Sequence, residues 1–172
     1  MDLSKKDRII LVNQYEILKF LNPDDAEYYD ESIEILRFGY TPFYDEIASS
    51  VDDSEISQEK CDLVFNILNI YRIIESYRDA IATNDEVTNH TRSKFRGFDG
   101  NNETQYMIFA NFLFKQGKYT ETSRHSNGTD NFNSHMPTLH IYKPMIAKWN
   151  EFGKSFELEK DQILEILEAS NV

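Results

Sequence analysis

A single cysteine, Cys61, leaves this 172-residue chain without an internal disulfide. A reduced intracellular compartment, the cytoplasm, is therefore expected. No stretch reaches the roughly 18 continuous apolar residues that a membrane span requires. The N-terminal M-D-L-S-K-K-D-R is not expected to be a secretory signal, because Asn13, Gln14 and Glu16 break the apolar run behind it. Bases are few: 18 Lys and Arg stand against 30 Asp and Glu, a net charge of −12. That balance disfavours nonspecific binding to nucleic acid or anionic membranes, since phosphate contacts need clustered bases. The chain also lacks a phosphate-binding loop signature, a dinucleotide Gly-rich loop, H-E-x-x-H, paired C-x-x-C and G-x-S-x-G. Those absences exclude only the enzymes that such motifs report.

What is present is apolar and aromatic. The chain is 40% hydrophobic and holds 12 Phe, 10 Tyr and one Trp, too much for a disordered chain and enough for a real core. The densest part is Cys61 to Ile81, where 13 of 21 residues are apolar or aromatic. Its polar residues Asp62, Asn66, Asn69, Arg72, Ser76 and Asp79 follow at spacings of 4, 3, 3, 4 and 3, so they share one helical face. A helix with a polar stripe on an apolar body sits inside other helices. The expectation is an all-α fold of about six helices packed around a central apolar helix, about 58–82.

Before that helix, Ser4 and Asp7 form the outline of a capping box. Ile10, Leu11, Tyr15, Ile17, Leu18 and Leu21 make one helical face. Asn22-Pro23 stops this helix and starts another, which Gly39 ends. So short a join predicts an antiparallel hairpin. Thr41-Pro42 opens a short helix from Phe43 to about Ser50, Val51 to Glu55 reads as an acidic turn, and Ser57 caps the central helix. A helix-turn-helix reading of this region is disfavoured, because the would-be recognition helix is apolar and opens with Glu59 and Asp62.

After the central helix, Thr83 to His90 reads as a loop. Phe95 and Phe98 in R-S-K-F-R-G-F-D (92–99) are expected to plug the core. Asp99 is expected to cap the next helix, in which Tyr106 to Phe114 forms a second buried element. Gly117 stops it. Residues 117–136 contain almost no aliphatic side chain and read as a long polar loop, anchored by Tyr119 and Phe132, with a short extended piece at Lys118–Thr122. Pro137 opens a helix interrupted by a kink or restart at Pro144. The last helix runs from Glu159 to about Ala169.

Charge is uneven along the chain: residues 1–86 carry −12, residues 87–129 carry +3 and residues 130–172 carry −3. The middle is where an anion or an acidic partner would bind. The candidate residues are Arg92, Lys94, Arg96, Lys118, Arg124 and His125. An extended 92–96 segment puts its three bases on one side. The two groups flank one helix and begin at its opposite ends unless one folds back. His90, His125, His135 and His140 are read as surface or capping residues; His135 and His140 lie five apart, a poor helical spacing for a shared metal. No metal site, cofactor or catalytic residue is expected. Cys61 lies beside Glu59 and Asp62, a poor setting for a reactive thiol.

The stretches R-I-I-L-V-N-Q-Y (8–15), E-K-C (59–61), G-F-D (97–99), Q-G-K-Y-T (116–120) and H-M-P-T (135–138), followed by Tyr142 and Trp149, occur in the order that characterises the YfbU family. The sequence resembles that family over nearly its whole length; Pro144 and the Asn/Ser-rich 126–134 stretch depart from the pattern. The resemblance implies a bacterial all-α protein with a helical hairpin portion and a second helical portion. It implies no activity. Residues 1–172 are therefore read as one all-α domain, divisible into a helical hairpin (about 4–39) and a helical body (about 41–170). The expected role is a homo-oligomeric protein-interaction or regulatory module without catalysis, partnering itself or another protein. The alternative is an enzyme or binder of an anionic small molecule or nucleotide, using the 90–99 and 117–136 loops.

Overall fold

A computed structural model of the chain describes residues 1–51, 54–81, 84–125 and 130–169. They form nine α-helices, six long and three short, and divide into two compact units, Met1–Glu55 and Ile56–Val172.

The first unit is built on α1 (Lys5–Leu21) and α2 (Ala26–Phe38), joined by a 3-10 turn at Pro23–Asp25. The Ser4 hydroxyl accepts from the Asp7 N–H at 3.2 Å, and the Asp7 carboxylate accepts from the Ser4 N–H at 3.0 Å, completing the expected capping box. Gly39 ends α2 with a left-handed φ of 74°, which a Cβ would strain. The helices pack along each other, tied by Glu16–Arg37 at 2.7 Å and by Lys19–Asp30. The helix expected from Phe43 to about Ser50 is only α3, Tyr44–Ile47, preceded by a 3-10 turn at Thr41–Phe43. Asp52 and Asp53 of the expected acidic turn lie outside the described residues.

The second unit is built on α4, Gln58–Ala80, which Ser57 caps by accepting the Lys60 N–H at 3.3 Å. Ala82, near the expected end of the helix, lies outside the described residues. Val64, Ile67, Leu68, Ile70, Tyr71, Ile73 and Ile74 of α4 are buried, while no member of the polar stripe is. Four helices pack on α4: α5 (Glu86–Asn89), α6 (Thr104–Lys115), α7 (Thr120–His125) and α8 (Leu139–Glu151). The last helix, α9 (Lys160–Glu168), packs on α5 and α8.

Several expectations need correction here. Within the expected 83–90 loop, residues 86–89 form α5, because the Asp85 carboxylate accepts the Val87 and Thr88 N–H groups and holds one helical turn. Asp99 does not cap α6. Its carboxylate holds the turn at Asn101 and Asn102, and α6 starts at Thr104. Nor is α6 buried throughout: Ala110 and Leu113 face the core, while Ile108 and Phe112 are exposed. Lys118–Thr122 is not extended, since α7 begins at Thr120. Helix α8 runs unbroken through Pro144. Proline at this position frees the His140 carbonyl, and His140 is exposed, so water can take that bond.

Candidate functional site

The 92–96 segment is not extended throughout: it opens in a turn in which the Ser93 N–H donates to the His90 carbonyl at 3.0 Å, and of its three bases Lys94 and Arg96 are exposed while Arg92 is half-buried. Phe95 and Phe98 anchor it in a ring cluster with Tyr71, Tyr142 and Phe132. Gly97 sits at the closest approach. Its φ is +86°, and a Cβ there would lie 1.8 Å from the Phe132 carbonyl oxygen. That carbonyl accepts the Phe98 N–H at 2.9 Å, and the Phe98 carbonyl accepts the Ser134 N–H at 3.0 Å. The chain after α7 thus folds back onto 97–99, making the bridge between Phe98 and Asn133. The Phe132 ring packs tilted against Phe114, with centroids 4.3 Å apart, so both expected anchors, Phe132 and Tyr119, are used.

The cations of the candidate set are partly committed. Arg92 donates from Nη1 to the Leu167 carbonyl at 3.0 Å, a cation at the C-terminal end of α9. Arg96 donates from Nη2 to the Thr91 carbonyl at 3.3 Å. Arg124 lies 3.7 Å from Asp79 in an exposed pair, worth at most about 1 kcal/mol. Lys94 and Lys118 are exposed, and the His125 side chain lies outside what the structure describes. No hydrogen bond or ion pair among the described residues joins Arg92, Lys94 and Arg96 to Lys118 and Arg124. Beside Arg92, burial and that guanidinium push the His90 imidazole below its usual range, outweighing Glu168, so its Nδ1 accepts the Arg92 N–H at 3.2 Å.

Helix α7 lies over the polar stripe of α4. Arg72 donates to Glu121 at 2.5 Å and stacks 4.2 Å from the Tyr119 ring, whose hydroxyl donates to Asn69 at 3.1 Å. Burial pushes the Glu121 carboxyl up. The Arg72 hydrogen bond and the Arg72 and Arg124 charges outweigh it, leaving the group below the usual carboxylate range. Two carboxylates, whose burial the sequence does not announce, organise the body. Glu75, on the apolar side of α4, is buried and pairs with Arg78, which also donates to the Ser93 carbonyl at 3.3 Å. Glu103 is buried and accepts the Thr138 and Leu139 N–H groups, each at 2.9 Å, so it caps α8 from a distant segment. A cleft of about 760 Å³ runs beside α4, lined by Glu59, Lys60, Asp62, Tyr106, Lys143 and Asn150 among others; Arg92, Lys94, Arg96, Lys118 and Arg124 do not line it. Among the described residues, no three His, Cys, Asp or Glu side chains gather as metal ligands would, and no helix is long and apolar enough to cross a membrane.

The most exposed apolar surface is on α1. None of its 17 residues is buried. Ile10, Ile17, Leu18 and Leu21, four of the six residues of the expected apolar face, are exposed, and so are Ile9 and Phe20, the last at 84%. Leu3, Ile10, Leu11, Tyr15, Ile47 and Val51 contribute to a groove of about 470 Å³ along the helix. The signal was legible in Ile9-Ile10-Leu11-Val12, since four consecutive apolar residues span more of a helix than one partner helix can cover.

The YfbU domain model matches residues 1–169. A UPF0304 protein of Methanocaldococcus jannaschii is 43% identical over 170 residues, covering 97% of this chain and 99% of the relative. That relative is archaeal, which the bacterial expectation did not include.

Proposed function

Because the chain belongs to the YfbU domain family, we propose a reading for a member of it: a protein-interaction module without catalysis of its own, which self-associates through the apolar exterior of its N-terminal hairpin and works in the cytoplasm. One observation carries this: α1 buries no residue, yet presents Ile9, Ile10, Ile17, Leu18, Phe20 and Leu21 to solvent. Contiguous exposed apolar surface of this kind marks an interaction site. Half-exposed side chains of this size gain about 1 kcal/mol each on being covered, so six from each of two copies give at most about 12 kcal/mol gross. Subtracting at least about 4 kcal/mol for association leaves at most about 8 kcal/mol, so the dimer is micromolar or weaker. The alternative, an anionic ligand held by the 90–99 and 117–136 loops, is less well supported, because Arg92 and Arg96 donate to backbone carbonyls.

The test is native mass by sedimentation across the micromolar range. A multiple of the 20.2 kDa chain is expected, reduced by Ile17→Asp. A strict monomer throughout would end this reading.

A further inference from the structure

We infer that α1 pairs antiparallel with α1 of a second copy of the chain, along a seam of Ile10, Gln14, Ile17 and Leu21. This rests on the self-association just proposed and adds its surface, direction and register. At 100° per residue these four side chains fall within about 60° of arc, on the side of α1 away from Arg8, which bonds the Leu36 carbonyl of α2. Their spacing of 4, 3 and 4 is that of a two-helix seam. Run antiparallel, the seam is self-complementary: Ile10 meets the partner's Leu21, and Gln14 meets the partner's Ile17.

Charge chooses both the occupant and the direction. Acids dominate the exposed side of α2 and its approach, at Asp24, Asp25, Glu27, Glu31 and Glu34, so two copies apposed through α2 would repel. Between Asp7 and Glu16, α1 carries only Arg8, and Glu16 is engaged by Arg37. Lys5 and Lys6 stand at the N-terminal end of α1, where a cation opposes the helix dipole. Asp24 and Asp25 follow its other end. Among the described residues none of these four side chains forms an ion pair, whereas Glu16, Lys19, Asp30 and Arg37 do. Parallel pairing would set lysines against lysines. Antiparallel pairing in this register brings Lys5 and Lys6 to the negative end of the partner helix, beside the turn that carries the partner's Asp24 and Asp25.

The test uses the full chain with Cys61→Ser, so that introduced thiols are the only ones. The double variant Ile10→Cys, Leu21→Cys is expected to form a disulfide-linked dimer under mild oxidation, while Ile10→Cys alone is not. Residues 10 and 21 are about 16 Å apart along one helix, so the bond cannot close within a chain. Cross-linking by Ile10→Cys alone would show a parallel pair and overturn the inference. A dimeric mass with no cross-link in the double variant would overturn the seam while leaving self-association standing; a monomeric mass would remove both. Independently, Lys6→Glu is expected to weaken dimerisation about tenfold and Asp25→Lys to restore it. Glu at position 6 suits the helix N-terminus, so a weakened dimer cannot be ascribed to a weakened helix. Failure of the charge swap to restore association would overturn the register.

Discussion

Helices α1 and α4 are both rich in apolar residues, yet they end in opposite situations. In α4, eight of 23 residues are buried, and α5, α6, α7 and α8 all pack on it. In α1, none of 17 is buried, and the long helix packed on it is α2. An apolar circumference states that a helix needs cover on several sides; it does not say whether the same chain supplies it. The body has enough helices to surround α4. The hairpin does not have enough to surround α1.

The sharpest way to break this comparison is to truncate one aromatic from each unit. Phe98 is fully buried, so Phe98→Ala should lower body stability by about 3–5 kcal/mol, whereas Phe20→Ala should change monomer stability by less than about 0.5 kcal/mol. The sole tryptophan, Trp149, is buried in the body, so its fluorescence during denaturation follows that unit. Equal effects of the two changes would show that the hairpin exterior is covered within the monomer. Gly97→Ala comes next, at about 3 kcal/mol, because its φ is +86° and the added carbon meets the Phe132 carbonyl. It should free the 130–134 segment, read as faster amide exchange at Phe98 and Ser134.

Glu103→Gln should cost about 2 kcal/mol, since charge-assisted bonds to the Thr138 and Leu139 N–H groups become neutral ones. The loss belongs to the body and should leave native mass unchanged. The smallest effect concerns acid. The Asn102 side chain and the Asn101 N–H hold the Asp99 carboxyl below its usual range, against burial; Ser4 does the same for Asp7 in the hairpin. Each folded pKa lies below the unfolded one. Each therefore contributes stability above about pH 4 that is lost as pH falls through the folded value. Asp99→Asn should flatten the acid limb seen by Trp149 fluorescence, and Asp7→Asn should not.

Several placements were open to reading because the residues responsible act locally or by aromatic burial. Ser4 and Ser57 cap their helices, Gly39 and Gly117 end theirs with positive φ, and Phe95, Phe98, Tyr119 and Phe132 tie irregular chain to the core. The basic candidates were harder, since a sequence shows a guanidinium but not its acceptor. Only the fold brings the Leu167 carbonyl to Arg92, 75 residues away. Helices as short as α5 and α7, of four and six residues, are too brief to show a period.

The order of the long helices, the N-caps of α1 and α4 and the polar stripe of α4 follow from propensity, capping and period, which act over one or two turns and so are written in adjacent residues. Burial of Glu103 and the bare face of α1 depend on which distant groups arrive to donate a bond or cover a side chain. Those partners are chosen by packing across tens of residues, where each contact is worth about 1 kcal/mol and the sum over the fold decides.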